Sequence, residues 1–273
     1  MTGKGSRWEG QTLRALQERW DRAHVHLYSQ IDSTNTRALE LAEDGAPAGT
    51  LVLADEQTAG RGVAARRWHS PKGAGLYMSL VFRPKRLANP LLLPILAGLS
   101  VAQAIERLLG SVPVGVKWPN DLIVSDRKVG GVLSEASWSG SAPKHVVLGV
   151  GINVHQRRAD FPTALRDMAV SLDLAVGRSV SRLALADLII TEVEERCVNP
   201  PESLDRDFLR LFDEYDWLRD RRCAVAQQGT PLLKGTAVGI APDGALLFRP
   251  DHGALQRVTS GRVLVEQLPL PDY

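Results

Sequence analysis

The sequence predicts an α/β (α+β) protein with a larger domain followed by a small β-barrel. Two observations carry the first part. Short β-patterned runs alternate with helix-patterned segments as far as Trp217. A chain of 273 residues with 44% hydrophobic content is enough for one large core, or a large domain plus a small one. A third observation carries the barrel. After Arg222 the sequence turns into short β-rich runs split by Gly, Asp and Pro, the spacing of a compact barrel, SH3-like in size. The expected domains are 1–221 and 222–273.

In chain order, Glu9 to Arg22 suits a short helix with Leu13, Leu16 and Trp20 on one side. "HVHLYSQI" alternates like a strand, with Val25, Leu27 and Ile31 inward. "DSTNTRALELAEDG" reads as a helix capped by Asp32 or Ser33 and closed by Gly45. "TLVLADEQ" and "LYMSLVF" are strands on either side of the loop "AGRGVAARRWHSPKGAG". A buried helix runs from Pro94 to Leu109. In "VGVKWPNDLIV", Pro119 divides two short strands at a tight turn, "SDRK" makes the next turn, and "VGGVLSEASW" and "HVVLGVGINV" complete a meander. Helices over Arg182–Glu195 and Leu204–Trp217 close the first domain, and "PDGA" at 242–245 marks a hairpin in the second.

The totals exclude several classes. Lys+Arg is 33 against 31 Asp+Glu, a net charge of +2, which gives no case for general nucleic-acid or membrane affinity. Cys197 and Cys223 fit no metal spacing and read as reduced thiols. The N-terminus lacks the apolar core of a signal peptide, and "PLLLPILAGLSVAQAI" reads as a core helix, so a cytoplasmic protein is expected. His24 and His26 would share one strand face and are read as surface residues.

The chemistry is local. Gly60 and Gly62 let a backbone approach a ligand, and Arg61, Arg66 and Arg67 offer guanidinium forks for carboxylate or phosphate oxygens. A loop this long between strands is often a functional lid, although a solvated loop with scattered arginines has the same composition. It is neither a P-loop nor a dinucleotide fingerprint. "KWPND" presents Lys117, Asn120 and Asp121 together, and Asp121 can hold Mg²⁺ or accept a proton; ordinary turn chemistry explains the same residues. Lys128 precedes Gly130 and Gly131, and Gly149 and Gly151 lie in an apolar strand ending at Asn153. Ser33, Thr34 and Asn35 open a helix, where capping alone accounts for Ser33.

In this order, "STN", "QTAGRG…RRWHSPKGAGLYMSL", "KWPNDL", "DRKVGGVL" and "VLGVGINV" resemble the biotin protein ligase family over nearly the whole chain. The resemblance implies a mixed-sheet catalytic domain related to lipoate ligases, with an SH3-like C-terminal domain. It also implies that biotin and ATP give biotinyl-5′-AMP and pyrophosphate, and that the biotinyl group passes to one lysine of a biotin carboxyl carrier domain. It places Ser33, Thr34, Asn35, Gln57, Gly60, Arg61, Gly62, Val63, Lys128, Gly131, Gly149 and Gly151 at biotin, and Arg66, Arg67, Trp68, Lys117, Asn120 and Asn153 at the nucleotide. Lys128, Arg61, Lys117 and Asp121 carry catalysis, with Asp121 also the Mg²⁺ candidate. The loop would keep water from a reactive mixed anhydride.

Two departures matter. Val63 and Ala65 stand where the family loop usually has arginine and glycine, so slower adenylation or leakier retention of the intermediate is expected. Roughly twenty-five residues precede the first catalytic strand, too few for a three-helix DNA reader, so the monofunctional class is expected, with no DNA partner. A homodimer is left open. The competing readings are a lipoate or octanoate ligase or transferase, and a biotin-binding module without catalysis.

Overall fold

The protein is described by a computed structural model covering residues 7–110, 112–227 and 229–265. The first six residues, part of the segment read above for a leader, and residues 266–273 of the expected second domain lie outside the described residues.

A small hairpin, β1 (Arg7–Trp8) and β2 (Gln11–Thr12), leads into α1 (Leu13–Arg19). The helix expected from Glu9 starts only at Leu13. Glu9 and Gly10 take positive φ in the hairpin turn, and Thr12 Oγ1 caps the helix by accepting from the Ala15 N–H. β3 (Val25–Tyr28), α2 (Thr34–Glu43), β4 (Leu51–Ala54) and β5 (Gly75–Phe82) follow the expected order. Ser33, not Asp32, supplies the side-chain cap of α2. α3 (Leu92–Leu109) starts just ahead of Pro94, which sits in the first turn where its missing N–H has no helical partner to lose.

The meander is β6 (Gly115–Lys117), β7 (Asp121–Val124), β8 (Arg127–Ser139) and β9 (Ala142–Asn153). α4 (Leu172–Val176), α5 (Arg182–Cys197) and α6 (Arg206–Tyr215) follow. The sequence pattern did not mark α4, a helix of little more than one turn. His24 lies outside β3 and is exposed, whereas His26 is half-buried within it, and burial pushes its imidazole below the ordinary range.

Seven strands form one mixed sheet in the order β3-β4-β5-β9-β8-β7-β6, with only β3 and β4 parallel. Alternation divides the sheet between two environments. Leu51, Leu53, Leu76, Met78, Leu80, Leu148, Val150 and Ile152 face the main core with α3 and α5. Val52, Ala54, Val81 and Val147 face the other way, against Ala38 and Ala42 of α2. Ile31 joins this second cluster instead of the face of Val25 and Leu27, because β3 ends at Tyr28. One helix, α3, is long and apolar enough to cross a membrane, and it is mostly buried as the core helix.

The second unit holds β10 (Arg222–Ala226), β11 (Leu233–Ile240), β12 (Leu246–Pro250), β13 (Gln256–Val258) and β14 (Arg262–Val265). They pair antiparallel in the order β13-β12-β11-β10-β14, the small antiparallel β unit expected after Arg222. Its inner residues Leu246, Phe248, Val263 and Val265 join the main core. The expected hairpin at 242–245 links β11 and β12 and docks on the first unit. Asn89 Nδ2 donates to Asp243 O at 2.6 Å, and the buried Trp118 indole donates to Gly244 O at 2.8 Å.

Candidate active site

The sheet face below α2 changes character along β8 and β9. Continuing the alternation from Val147, residues Gly149, Gly151 and Asn153 of β9 lie on that side, with Gly131, Leu133 and Glu135 beside them on β8. A Cβ on Gly149 would come within 2.0 Å of Asn35 Oδ1, and one on Gly151 within 2.7 Å of Trp68 Nε1. Glycine is therefore required for Asn35 and Trp68 to rest on the sheet. The result is a cavity of about 900 Å³ between the α2 N-terminus, the glycine–arginine loop, the meander and β14. It is within the range of small-molecule sites.

Every residue that the sequence singled out for the site lines this cavity, from Ser33 on α2's cap to Asn153 at the end of β9. They divide into two groups. On one side is a polar floor. Gln57 Oε1 accepts from the Thr34 N–H at 2.8 Å, and Gln57 Nε2 donates to Ser70 Oγ at 2.8 Å. Asn35 Nδ2 donates to Glu135 Oε2 at 3.0 Å, and Asn35 Oδ1 accepts from Ser79 Oγ at 2.6 Å. Thr34, Asn35 and Ser79 are buried, so these groups depend on protein partners where water is excluded.

On the other side is a cationic wall. Lys128 Nζ donates to Asp121 Oδ1 at 2.5 Å and lies 5.3 Å from the Trp68 ring centroid. Lys117 Nζ lies 5.9 Å from the Trp217 ring centroid and forms no hydrogen bond or ion pair among the described residues. Burial, reinforced by Lys128 and Arg262, pushes Lys117 below the ordinary lysine range, with Asp121 opposing. Burial likewise lowers Arg262, with Arg66 adding and Asp121 opposing. A pair of phosphates would relieve this crowding of positive charge.

Some predicted residues are engaged in ways the sequence did not indicate. Arg61 reaches back to Glu135, with Nη2 at 2.6 Å from Oε1 and Nη1 at 3.0 Å from Oε2. Arg67 donates to Thr58 O and Arg66 Nε to Val63 O, so the loop arginines brace their own loop. Asn153 donates to Val170 O and accepts from Gln156 Nε2, tying β9 to the segment after it. Trp68 Nε1 is buried with no hydrogen-bond partner among the described residues.

Sequence reasoning missed part of the lining. Phe161, Leu165, Met168 and Ala169 close one side, Trp217 another, and Gly261–Val265 arrive from the second unit. Nothing in "FPTALRDMA" marks a pocket wall, because apolar residues on short 3-10 turns show no period. Glu135, which holds Asn35 and Arg61 without itself lining the cavity, could have been found by extending the alternation of Gly131 two steps along β8.

Both units of the chain are similar to known proteins. Residues 27–153 match the Biotin/lipoate A/B protein ligase family, and residues 220–265 match the Biotin protein ligase C terminal domain. A Bacillus subtilis protein named bifunctional ligase/repressor BirA is 36% identical over 232 residues, covering 84% of this chain and 70% of that protein. A Paracoccus denitrificans biotin–[acetyl-CoA-carboxylase] ligase is 39% identical over 248 residues, covering 83% of this chain and 95% of that protein. The Aquifex aeolicus biotin protein ligase in complex with biotin and ATP superposes with a TM-score of 0.74 at 29% identity, covering 88% of this chain and 97% of that one. With a polar floor and a cationic wall in one cavity, and both family domains matched in order, this chain belongs to the biotin protein ligase family.

Proposed function

We propose that the two sides of this cavity divide the work of biotin protein ligation. The chain is an ATP-dependent ligase that activates biotin to biotinyl-5′-AMP, releasing pyrophosphate. The acceptor we propose is one lysine of a biotin carboxyl carrier domain. The observation that carries this reading is the adjacency of a neutral, hydrogen-bonding floor and the Lys117–Lys128 wall in one cavity. Biotin has a neutral polar ureido ring at one end and a carboxylate at the other, which matches that polarity. A dithiolane ring or an octanoyl tail brings no hydrogen-bonding groups to such a floor, which disfavours the lipoate reading.

In step one a biotin carboxylate oxygen attacks the α-phosphorus of ATP, a bond forms there, and pyrophosphate leaves. The two reactants are both anions, so fixed cations must hold them together and take up developing charge. We assign this to Lys128, at the carboxylate and phosphate, to Lys117 and to Arg61. Ser33, Thr34, Asn35 and Gln57 hold the ureido ring, while Gly131, Gly149 and Gly151 leave room for the bicycle and tail. Gly60, Gly62 and Val63 cover biotin, and Arg66, Arg67, Trp68, Asn120 and Asn153 face the nucleotide. Loop closure would shield the mixed anhydride from water.

Mg²⁺ fits this wall as an ion carried in on the nucleotide. The carboxylates lining the cavity are Asp121, Asp126 and Asp167, and each already has a cationic partner, in Lys128, Arg221 and Arg158. Such an ion takes one or two carboxylates and completes its shell with phosphates and water. Asp121 would hold it, and it would neutralise phosphate charge. Asp121 is also our candidate for orienting or deprotonating the acceptor amine in step two. Asp121→Asn that still transferred biotin at full rate from preformed adenylate would remove that second role.

The reading is tested by pyrophosphate exchange into ATP with Mg²⁺, comparing biotin, lipoate and octanoate. Exchange with biotin alone is expected. Exchange with lipoate or octanoate would move the chain to the sister activity, and no exchange with any acid would leave a binding module.

A further inference from the structure

We propose that Glu135, with Ser79 behind it, is a positioning residue that sets the polarity of the cavity floor and ties the glycine–arginine loop to it. The proposal deepens the biotin-ligase reading and rests on it for the identity of the ligand.

The hydrogen-bond chain has one consistent direction. Ser79 Oγ lies 2.6 Å from Asn35 Oδ1 and 2.8 Å from Thr34 Oγ1. A serine hydroxyl has one proton, and an amide oxygen has none to give. Ser79 therefore donates to Asn35 Oδ1, and the Thr34 hydroxyl proton goes to Ser79 Oγ or to Gln57 Oε1, 3.1 Å away. Asn35 Nδ2 then donates to Glu135 Oε2 at 3.0 Å. Arg61 donates twice to the same carboxylate, at 2.6 and 3.0 Å. Protons point toward Glu135 from both sides, and a carboxylate, which only accepts, is the group that can terminate such a chain.

Two consequences follow from this direction. Thr34 spends its hydroxyl proton inside the protein, on Ser79 Oγ at 2.8 Å or on Gln57 Oε1 at 3.1 Å, so it meets the cavity as an acceptor. Gln57 Oε1 keeps the Thr34 N–H at 2.8 Å and is not left without a donor. The floor is thereby preset for a ligand that brings an N–H, as a ureido ring does. The second consequence concerns the loop. The chain continues through Gln57 Nε2 to Ser70 Oγ, and Ser70 Oγ donates to Trp68 O at 3.2 Å. Both limbs of the loop, at Arg61 and at Trp68–Ser70, are thus anchored to one buried network. Thr34 and Asn35 are each 4% exposed and Ser79 is fully buried, whereas the Arg61 side chain is 41% exposed. Glu135 stands where the buried floor meets the exposed arginine.

Glu135→Gln keeps the shape and replaces a pure acceptor by a group that also donates. In the ligand-free full chain, trypsin is expected to cut after Arg61, Arg66 or Arg67 about fivefold faster in the variant, because the charge-assisted bidentate pair is gone. In biotin-dependent pyrophosphate exchange, KM for biotin is expected to rise about tenfold while kcat and KM for ATP stay within about twofold. Unchanged cleavage overturns the loop tie, and a parallel change in kcat and both KM values overturns the positioning role in favour of general damage. If Glu135→Gln does not fold, Ser79→Ala breaks the same chain one step earlier. It should give the same selective rise in KM for biotin, and its absence overturns the proposal. A parent enzyme without biotin-dependent exchange would sink the ligase reading, and the trypsin comparison would still decide the loop tie.

Discussion

On the floor side of the cavity, Thr34, Asn35 and Gln57 already have protein partners for their amides and for the threonine hydroxyl. On the wall side, Lys117 has no ion pair among the described residues, and burial holds it below the ordinary lysine range. The floor is complete before a ligand arrives, and the wall is completed by one. The difference teaches where fold and function share residues. A change in the floor should harm both, whereas a change in the wall should harm the reaction and spare the fold.

The largest effect is expected on the wall. Lys117→Met or Lys128→Gln should lower biotin-dependent pyrophosphate exchange by about 10²–10³, the usual scale for losing one preorganised charge at a transferring phosphoryl group. Lys128→Gln also removes the partner that Asp121 holds at 2.5 Å, so the two lysines are not equivalent. Exchange within a few-fold of the parent in both variants would break the assignment of the wall to the nucleotide.

Gly149→Ala probes the floor. The added methyl would meet Asn35 Oδ1 at 2.0 Å, so either Asn35 leaves its partners or the strand shifts. Overpacking of this kind costs roughly 1–3 kcal/mol. KM for biotin should rise about tenfold while KM for ATP stays close to the parent value, since the damage is to ground-state binding at one end. Denaturant unfolding and exchange kinetics on the same preparation measure both. A variant losing affinity with no loss of stability would blur the contrast between floor and wall.

Lys117→Met sharpens the contrast from the stability side. A lysine whose folded pKa is lowered takes up its proton less readily folded than unfolded. Wherever the lysine is protonated, the folded state bears a desolvation cost that the unfolded state does not. As pH rises through the lowered folded value toward the unfolded one, that cost fades. The ligand-free Lys117→Met variant should therefore melt higher at neutral pH, by about 2–4 °C if the relief is near 1 kcal/mol. The gap should narrow by pH 10. Thermal unfolding of parent and variant at both values tests it, and a lower midpoint at pH 7 would place Lys117 among the structural residues.

The same division governs what the sequence revealed. Wall and loop residues were picked out in the sequence by charges set beside glycines, although the loop arginines also brace their own loop. The strands and α2 were legible from alternation and from the Ser33 cap. Ile31 was misplaced because β3 ends at Tyr28, and beyond the end of a strand alternation no longer says which side is inward. The α1 start was hidden by a two-strand hairpin too short to have a period. Glu135 carries no signal of its own in the sequence, since its meaning depends on Arg61 and Asn35, distant in sequence and adjacent only after folding. Trp217 reaches the cavity from the segment after α6, tied to Val116 O, and Arg262 from the second unit, placements that no local pattern encodes.

Val63 gives the smallest expected effect and the finest test of the wall. It lines the cavity with 40% of its surface exposed, in a turn where its carbonyl accepts from both the Arg66 N–H and Arg66 Nε. The turn uses its backbone and leaves the side chain unconfined, so an arginine fits without displacing anything buried. An exposed cation near a phosphate contributes about 0–1 kcal/mol, which sets the ceiling at roughly fivefold. Val63→Arg should slow release of biotinyl-5′-AMP by about threefold and weaken that gain at high salt. Release measured by chasing preformed adenylate with excess biotin at two ionic strengths decides it. No slowing at low salt would mean that Arg66 and Arg67 already supply the charge that the loop can use. The departure at Val63 would then be neutral, and the leakier retention expected from the sequence would not exist.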